Sequence, residues 1–214
     1  MKRIVLIVLI FLLGNTVAFA QIENVPSTNK YSNLKDALLT PEKVISLDLG
    51  NQNLILEDIK WEVFTNLEYL SLKNDNLTII PEGISKLNKL KILDLSGNNF
   101  KTLPKTMKSL SKLEVLYLND EKQFDLEKNM DILSSLPMLK ELHLENDNLK
   151  SLPKKFDKLD SLELLYLNNN QLKELPKQIM SLQHLQYLDL KDNQINPNLP
   201  ELNNINFGFR INLK

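Results

Sequence analysis

The chain has no cysteine among its 214 residues. That excludes a disulfide framework, a thiol nucleophile and thiolate metal ligands, and it leaves no residue to carry a lipid anchor behind a leader. Glycine is scarce, five in all, and neither a Gly-x-Gly-x-x-Gly run nor a phosphate loop occurs, so backbone cradling of phosphate is not expected. The two histidines, His143 and His184, form no His-Glu-x-x-His pair, and no metal or cofactor is expected. Charge of one sign is also lacking: 26 basic residues face 27 acidic ones. Lys105 and the pair Lys154-Lys155 read as an ordinary solvated rim. Nothing in this balance favours nucleic acid or an anionic membrane.

Long apolar runs are missing except at the start. Lys2 and Arg3 precede the stretch Ile4 to Leu13, which is shorter than the ~20 residues needed to span a bilayer. Ala18-Phe19-Ala20 then supplies a small-x-small cleavage site. Residues 1–20 are therefore expected to be a signal peptide cut after Ala20, which leaves a secreted or periplasmic protein with no stable membrane insertion. Without Lys2 and Arg3, 24 basic residues remain against 27 acidic ones, a net charge of −3. At 43% hydrophobic and 25% charged, the rest suits one folded domain.

What the chain does have is leucine in phase. Strand-like segments start at Val44, Leu67, Leu90, Leu113, Leu139, Leu162, Leu185 and, degenerately, Gly208. All intervals are 23 residues except one of 26, between Leu113 and Leu139. No unit of that size buries its apolar side alone, so the units must stack and share a core. In the run Leu90-x-x-Leu93-x-Leu95 the end alternates as a short strand should. The return segments carry Ile80-Pro81, Leu103-Pro104, Leu152-Pro153 and Leu175-Pro176, where proline forbids regular pairing and favours a single-turn crossover. Trp61 and Phe64 fill the inward return positions of the first unit and read as core. Every return runs the same way, so the strands are expected to be parallel.

This pattern, Leu-x-x-Leu-x-Leu-x-x-Asn-x-Leu-x-x-Leu-Pro-x-x-Ile-x-x-Leu, resembles the leucine-rich repeat family over roughly residues 44–213, in the bacterial exported type with 23-residue repeats. The resemblance implies an α/β solenoid: a right-handed horseshoe with a concave parallel sheet and short convex helical or extended segments. It also implies binding of macromolecules, mostly proteins, on the concave side. The family places an asparagine in the bend after each strand. Asn98, Asn170 and Asn193 keep it; Asp75 and Asp147 accept but do not donate when ionised; Gln52 and Glu121 are longer, and their bends are expected to be looser.

Residues 21–43 read as a loose lead followed by a capping helix, Ser32–Leu39, with Ser32 as N-cap and Pro41 beyond its end. Residues 44–214 form seven repeats and a degenerate closing strand. In the irregular fourth repeat, 113–138, the extra residues read as drift in a tolerant surface loop, with Leu126 to Leu136 as a longer convex helix. Beyond Ile195 the pattern breaks: Pro197 and Leu199-Pro200 interrupt it, while Leu202 and Ile205 return to phase.

In-register strands place the remaining strand positions in columns. One reads Ser46, Tyr69, Ile92, Val115, Glu141, Leu164, Tyr187 and Arg210. The other reads Asp48, Ser71, Asp94, Tyr117, His143, Tyr166, Asp189 and Asn212. The candidate partner-binding residues are Tyr69, Ile92, Val115, Tyr117, Glu141, His143, Leu164, Tyr166, Tyr187 and Asp189, an exposed apolar-aromatic patch of the kind that marks contact surfaces. The blander explanation is that such residues suit strands. His143 with Glu141 is the one place for proton transfer, but it lacks a nucleophile and a pocket-forming loop and reads as a surface histidine. Asp48 and Asp94, two strands apart, are too far separated for an acid-base pair. The expected function is non-catalytic protein binding. An adhesin stacking its tyrosines on glycan or cell-envelope sugars is the alternative.

Overall fold

The structure, a computed structural model, describes residues 25–196 and 208–213. The leader and the interrupted stretch with Pro197, Leu199, Pro200, Leu202 and Ile205 lie outside the described residues. Among the described residues, nine strands form one parallel sheet in chain order: β1 (Lys30–Tyr31), β2 (Ser46–Asp48), β3 (Tyr69–Ser71), β4 (Ile92–Asp94), β5 (Val115–Tyr117), β6 (Glu141–His143), β7 (Leu164–Tyr166), β8 (Tyr187–Asp189) and β9 (Arg210–Asn212). The register follows the repeat without a slip. Leu47, Leu70, Leu93, Leu116, Leu142, Leu165, Leu188 and Ile211 are successive partners, even across the 26-residue interval.

The core lies between this sheet and the return segments. The leucines of each strand are buried, and so are Trp61, Phe64, Phe100 and Phe156. Trp61 and Phe64 lie with ring centroids 6.2 Å apart. Single 3-10 turns at Glu82–Lys86, Lys105–Ser109, Lys154–Lys158 and Lys177–Ser181 each begin immediately after the proline of a return segment. The fixed φ of proline and its missing N–H suit that entry position.

The N-terminal end departs from expectation. The lead is not loose: Lys30 pairs with Ser46 and Tyr31 with Leu47, which adds a ninth strand. It is held by Ile45 N–H donating to Asn29 C=O at 3.0 Å and by a 3.1 Å contact between the Tyr31 and Thr40 hydroxyls. The capping helix shrinks to α1 (Leu34–Ala37), and its N-cap is Asn33, whose side chain accepts from Asp36 N–H, not Ser32. Ala37 is buried, but Leu38 and Leu39 are exposed. The apolar spacing holds for one turn only.

The bends carry the side-chain ladder. Asn98 Oδ1 accepts from the N–H groups of Asp75 and Leu77, and its Nδ2 donates to Leu72 and Leu95 C=O. Asn170 repeats this with Asp147, Leu149, Leu144 and Leu167. Glu121 does not loosen its bend. It is fully buried, accepts from Asn98 N–H, and its own N–H donates to Asp147 Oδ1 at 2.7 Å. Its extra methylene lets the carboxylate reach the place that a shorter amide occupies elsewhere. Gln52 is exposed and turns its amide to Ser32 C=O, tying the bend to the N-terminal cap.

Just before each ladder residue stands one with positive φ: Asn51, Asn74, Gly97, Asp120, Asn146, Asn169 and Asp192. These are the residue types that tolerate the left-handed region. At Gly97, with φ +68°, a Cβ would lie 1.9 Å from Asn74 Oδ1, so any side chain there would push that amide aside.

The fourth repeat is built rather than loose. Its return is α2 (Leu126–Leu133), capped by Asp125, whose side chain accepts from Lys128 N–H. Met130, Ile132 and Leu133 are buried in α2, as is Leu136 beyond its end, and Phe124 meets Phe100 edge-on at 5.8 Å. Buried Asn129 accepts from Leu103 N–H at 2.8 Å and donates to Lys101 C=O, tying α2 to the return of the preceding repeat.

Candidate functional site

Strand alternation turns the leucines inward and the two intervening columns to the opposite face. Their pairing is as the repeat dictates: Tyr117 beside His143 and His143 beside Tyr166, with Glu141 between Val115 and Leu164. The His143 ring stacks between its neighbours, with centroids 4.1 Å from Tyr117 and 4.3 Å from Tyr166 and planes 22° and 6° apart. Tyr187 continues the row, tilted, at 5.6 Å from Tyr166. Arg210 lies 5.9 Å from the Tyr187 ring, on the same edge.

His143 is therefore not a surface histidine. It is 9% exposed. Its Nε2 meets Glu141 Oε1 and its Nδ1 meets Glu145 Oε1, both at 2.9 Å. Burial by itself pulls an imidazole pKa down. Here the hydrogen bonds to Glu141 and Glu145, and then their charges, outweigh burial and raise it. A carboxylate oxygen faces each ring nitrogen, and an imidazolium would donate to both. The flanking tyrosine faces favour the same charge.

The tyrosines respond in kind. Burial, followed by Glu141 and Asp94, pushes the Tyr117 phenol far up. Burial, followed by Asp48 and Asp94, pushes Tyr69 up to about 12. Tyr187 is raised by burial and by Asp189, to which its hydroxyl donates at 3.1 Å. The aspartates of this column also shape the backbone: Asp48, Asp94 and Asp189 accept from Gly50, Ser96 and Lys191 N–H, two residues on, closing each strand exit.

Ile92, Val115 and Leu164 do not form the exposed apolar surface expected of them. They are 0%, 2% and 9% exposed, sunk in this face of the sheet beside the larger aromatic column. Tyr69, Tyr117, Tyr166, Tyr187 and Asp189 remain half-buried. The face is a packed polar-aromatic layer rather than an open greasy patch. Glu145 escaped the sequence reading because it stands one alternation beyond the strand; its place two residues after His143 was the available signal.

Two family models match the chain: a leucine-rich repeat region over residues 43–139 and a leucine rich repeat over residues 137–195. Together they run through the sheet from the entry to β2 to the end of the last regular repeat. The chain is a leucine-rich repeat protein. Among solved structures, a leucine-rich repeat protein of Leptospira interrogans is similar, at 26% identity and a TM-score of 0.46 over 86% of this chain and 64% of that one. No curated protein matches the sequence.

On this leucine-rich repeat protein the stacked aromatic residues and their carboxylate partners lie on the sheet. A groove of about 770 Å³ between two convex returns is lined by residues of both signs, among them Lys154, Asp157, Lys173, Glu174 and Lys177. Among the described residues, no group of histidine, aspartate and glutamate is arranged to hold a metal ion, and no helix is long and apolar enough to cross a membrane. His184, in a return, is exposed with Nδ1 at 2.8 Å from Asp160 C=O, as a structural surface histidine would be.

Proposed function

We propose that this leucine-rich repeat protein is exported, is not an enzyme, and binds another protein on the concave face of its sheet. The observation that carries the reading is the continuous row Tyr117, His143, Tyr166 and Tyr187, pre-packed and flanked by carboxylates. Side chains already held in place lose little further freedom when a partner arrives, and tyrosine is enriched at the centres of such interfaces. Nine strands give an arc of roughly 38 Å at ~4.8 Å per interval, a length suited to a protein surface rather than a small metabolite. The leader-like residues 1–20 are what supports export.

Two features weigh against the other readings. His143 has a carboxylate at each nitrogen and a tyrosine on each face, so it has no lone pair to offer a substrate. The faces of Tyr117 and Tyr166 toward His143 are taken, and sugar stacking requires open faces, so the glycan alternative loses its central platform. Affinity capture from envelope and culture fractions, with the wild-type chain and a Tyr117→Ala/Tyr166→Ala variant, tests the proposal. A partner retained by the wild type and lost by a folded variant supports it. Equal retention by both overturns the placement on this face.

A further inference from the structure

We infer that the groove between the convex returns of the fifth and sixth repeats binds an acidic segment of a protein, as a second contact surface apart from the concave sheet. The groove holds about 770 Å³ and is lined by Lys150, Lys154, Lys173 and Lys177, with Asp157 and Glu174 as the opposing charges among the described residues. The period sets these lysines in two pairs. Lys173 and Lys177 follow Lys150 and Lys154 by 23 residues, the same interval that puts Leu165 beside Leu142 in the sheet. Lys154 and Lys177 each open the single 3-10 turn behind a proline. Lys150 and Lys173 each stand three residues ahead of that proline. Lys154, an ordinary rim lysine by sequence, thus faces a groove with three others. Gln178 Nε2 donates to Leu152 C=O at 2.8 Å, which ties the two returns together beneath it.

Charge and shape together point to the occupant. At other places adjacent repeats set opposite charges against each other, as Lys91 with Glu68 at 2.9 Å and Lys155 with Asp131 at 2.7 Å. In the groove lysine stands beside lysine, and among the described residues none of the four has an ion pair. Like charges side by side on neighbouring elements repel, and a cleft with low-dielectric walls concentrates their field. An anion between the pairs turns that repulsion into attraction. The cations sit at four separate points on flexible stems, without the planar fork of an arginine. No glycine lines the groove to bring backbone N–H groups onto a compact phosphate. Carboxylates spread along an extended chain match cations spread in this way. Buried Leu152 and Leu172 form an apolar floor for the methylenes of such a chain. Asp157 and Glu174 keep the positive excess modest, which suits a short acidic peptide better than the dense charge of a nucleic acid.

The test is fluorescence anisotropy of a labelled hexaglutamate peptide titrated with the full chain at low salt. Hexaglutamine, equal in length and uncharged, is the control. Saturable binding of hexaglutamate alone is expected, weakened about fivefold or more in Lys173→Gln/Lys177→Gln. Lys101→Gln/Lys105→Gln makes the same charge change at the same two places of the third repeat and should leave binding unchanged. All of these lysines are exposed, so both variants should melt like the wild type. No binding, equal binding of hexaglutamine, or equal loss in the two variants overturns the inference. Displacement of the peptide by inorganic phosphate, but not by chloride at matched ionic strength, would make this a phosphate site and overturns it too. Binding should survive in Tyr117→Ala/Tyr166→Ala; loss there would move the peptide to the sheet and end the claim of a second surface. Since capture on the concave face is read with those tyrosines and this groove with its lysines, either can fail alone.

Discussion

A single side chain, His143, shows how much the fold does with a residue that composition makes look incidental. Its pKa is raised above the ordinary 6.5, so the folded state holds the proton more tightly than the unfolded one. The stability this contributes is complete below about pH 6.5 and is lost as pH climbs through the folded value. Removing one grip should lower that value: in Glu145→Gln the imidazole signals should titrate at lower pH than in the wild type. An unchanged midpoint would mean that the 2.9 Å contact carries no charge. Two buried acids act in the same direction. Burial raises Glu121 and Asp147 to about 8, and each has one carboxylate oxygen without a partner. Keeping them neutral helps most below about pH 4, and the benefit fades as pH rises towards 8. The protein should therefore unfold more easily at pH 9 than at pH 5. Asp147→Asn supplies permanently the N–H that Asn98 and Asn170 use, so it should stabilise the chain at pH 9 by about 1–2 kcal/mol and flatten the dependence, as read by urea unfolding at both pH values. The positions of Glu141 and His143 were legible because strand register follows from the period. Their burial was not, because it depends on Glu145 and on tyrosines contributed by the two neighbouring strands.

Within each repeat the bend is the element that decides stability. Asn170 satisfies two backbone donors and two backbone acceptors, so Asn170→Ala orphans several buried groups at once. A loss of about 2–4 kcal/mol is expected, visible as a lower denaturant midpoint, whereas half-buried Gln171→Ala beside it, which gives up one surface hydrogen bond to Asn148, should cost much less. Gly97→Ala combines a positive φ with a 1.9 Å approach to Asn74 Oδ1 and should cost about 1–3 kcal/mol; a thermal midpoint equal to wild type would contradict the backbone geometry. This element was half legible. The amides at 98, 170 and 193 announce the ladder, but Glu121 does not, because whether its longer side chain fits depends on the depth of the bend, which the sequence does not show. The asparagines, aspartates and glycine just ahead of the ladder spell out the left-handed turns. Helix α2 was visible in its leucines, while the role of Asn129 in closing it was hidden, since a polar residue on a convex helix normally faces water.

At the scale of the whole molecule, nearest-neighbour interfaces carry the stability, and the ends are its weak points. Removing residues 25–43 takes away β1 and α1, bares one edge of β2, and should lower the thermal midpoint and raise binding of a hydrophobic dye; no change in either would show that the lead is dispensable. Along the sheet margin, charges alternate between repeats, with Lys91 bonded to Glu68 at 2.9 Å and Lys140 facing Glu114 at 3.9 Å, a pattern that favours this stacking phase over one slipped by a repeat. The overall architecture was the most legible part, because a constant period leaves few ways to stack. The aromatic row also has a mechanical meaning. Rings 4.1 and 4.3 Å apart are already at van der Waals contact, so they act as a bump stop on the inside of the arc. The horseshoe has no room to tighten at its middle, and any breathing there must be a flattening, which widens the mouth for a large guest and never pinches it around a small one.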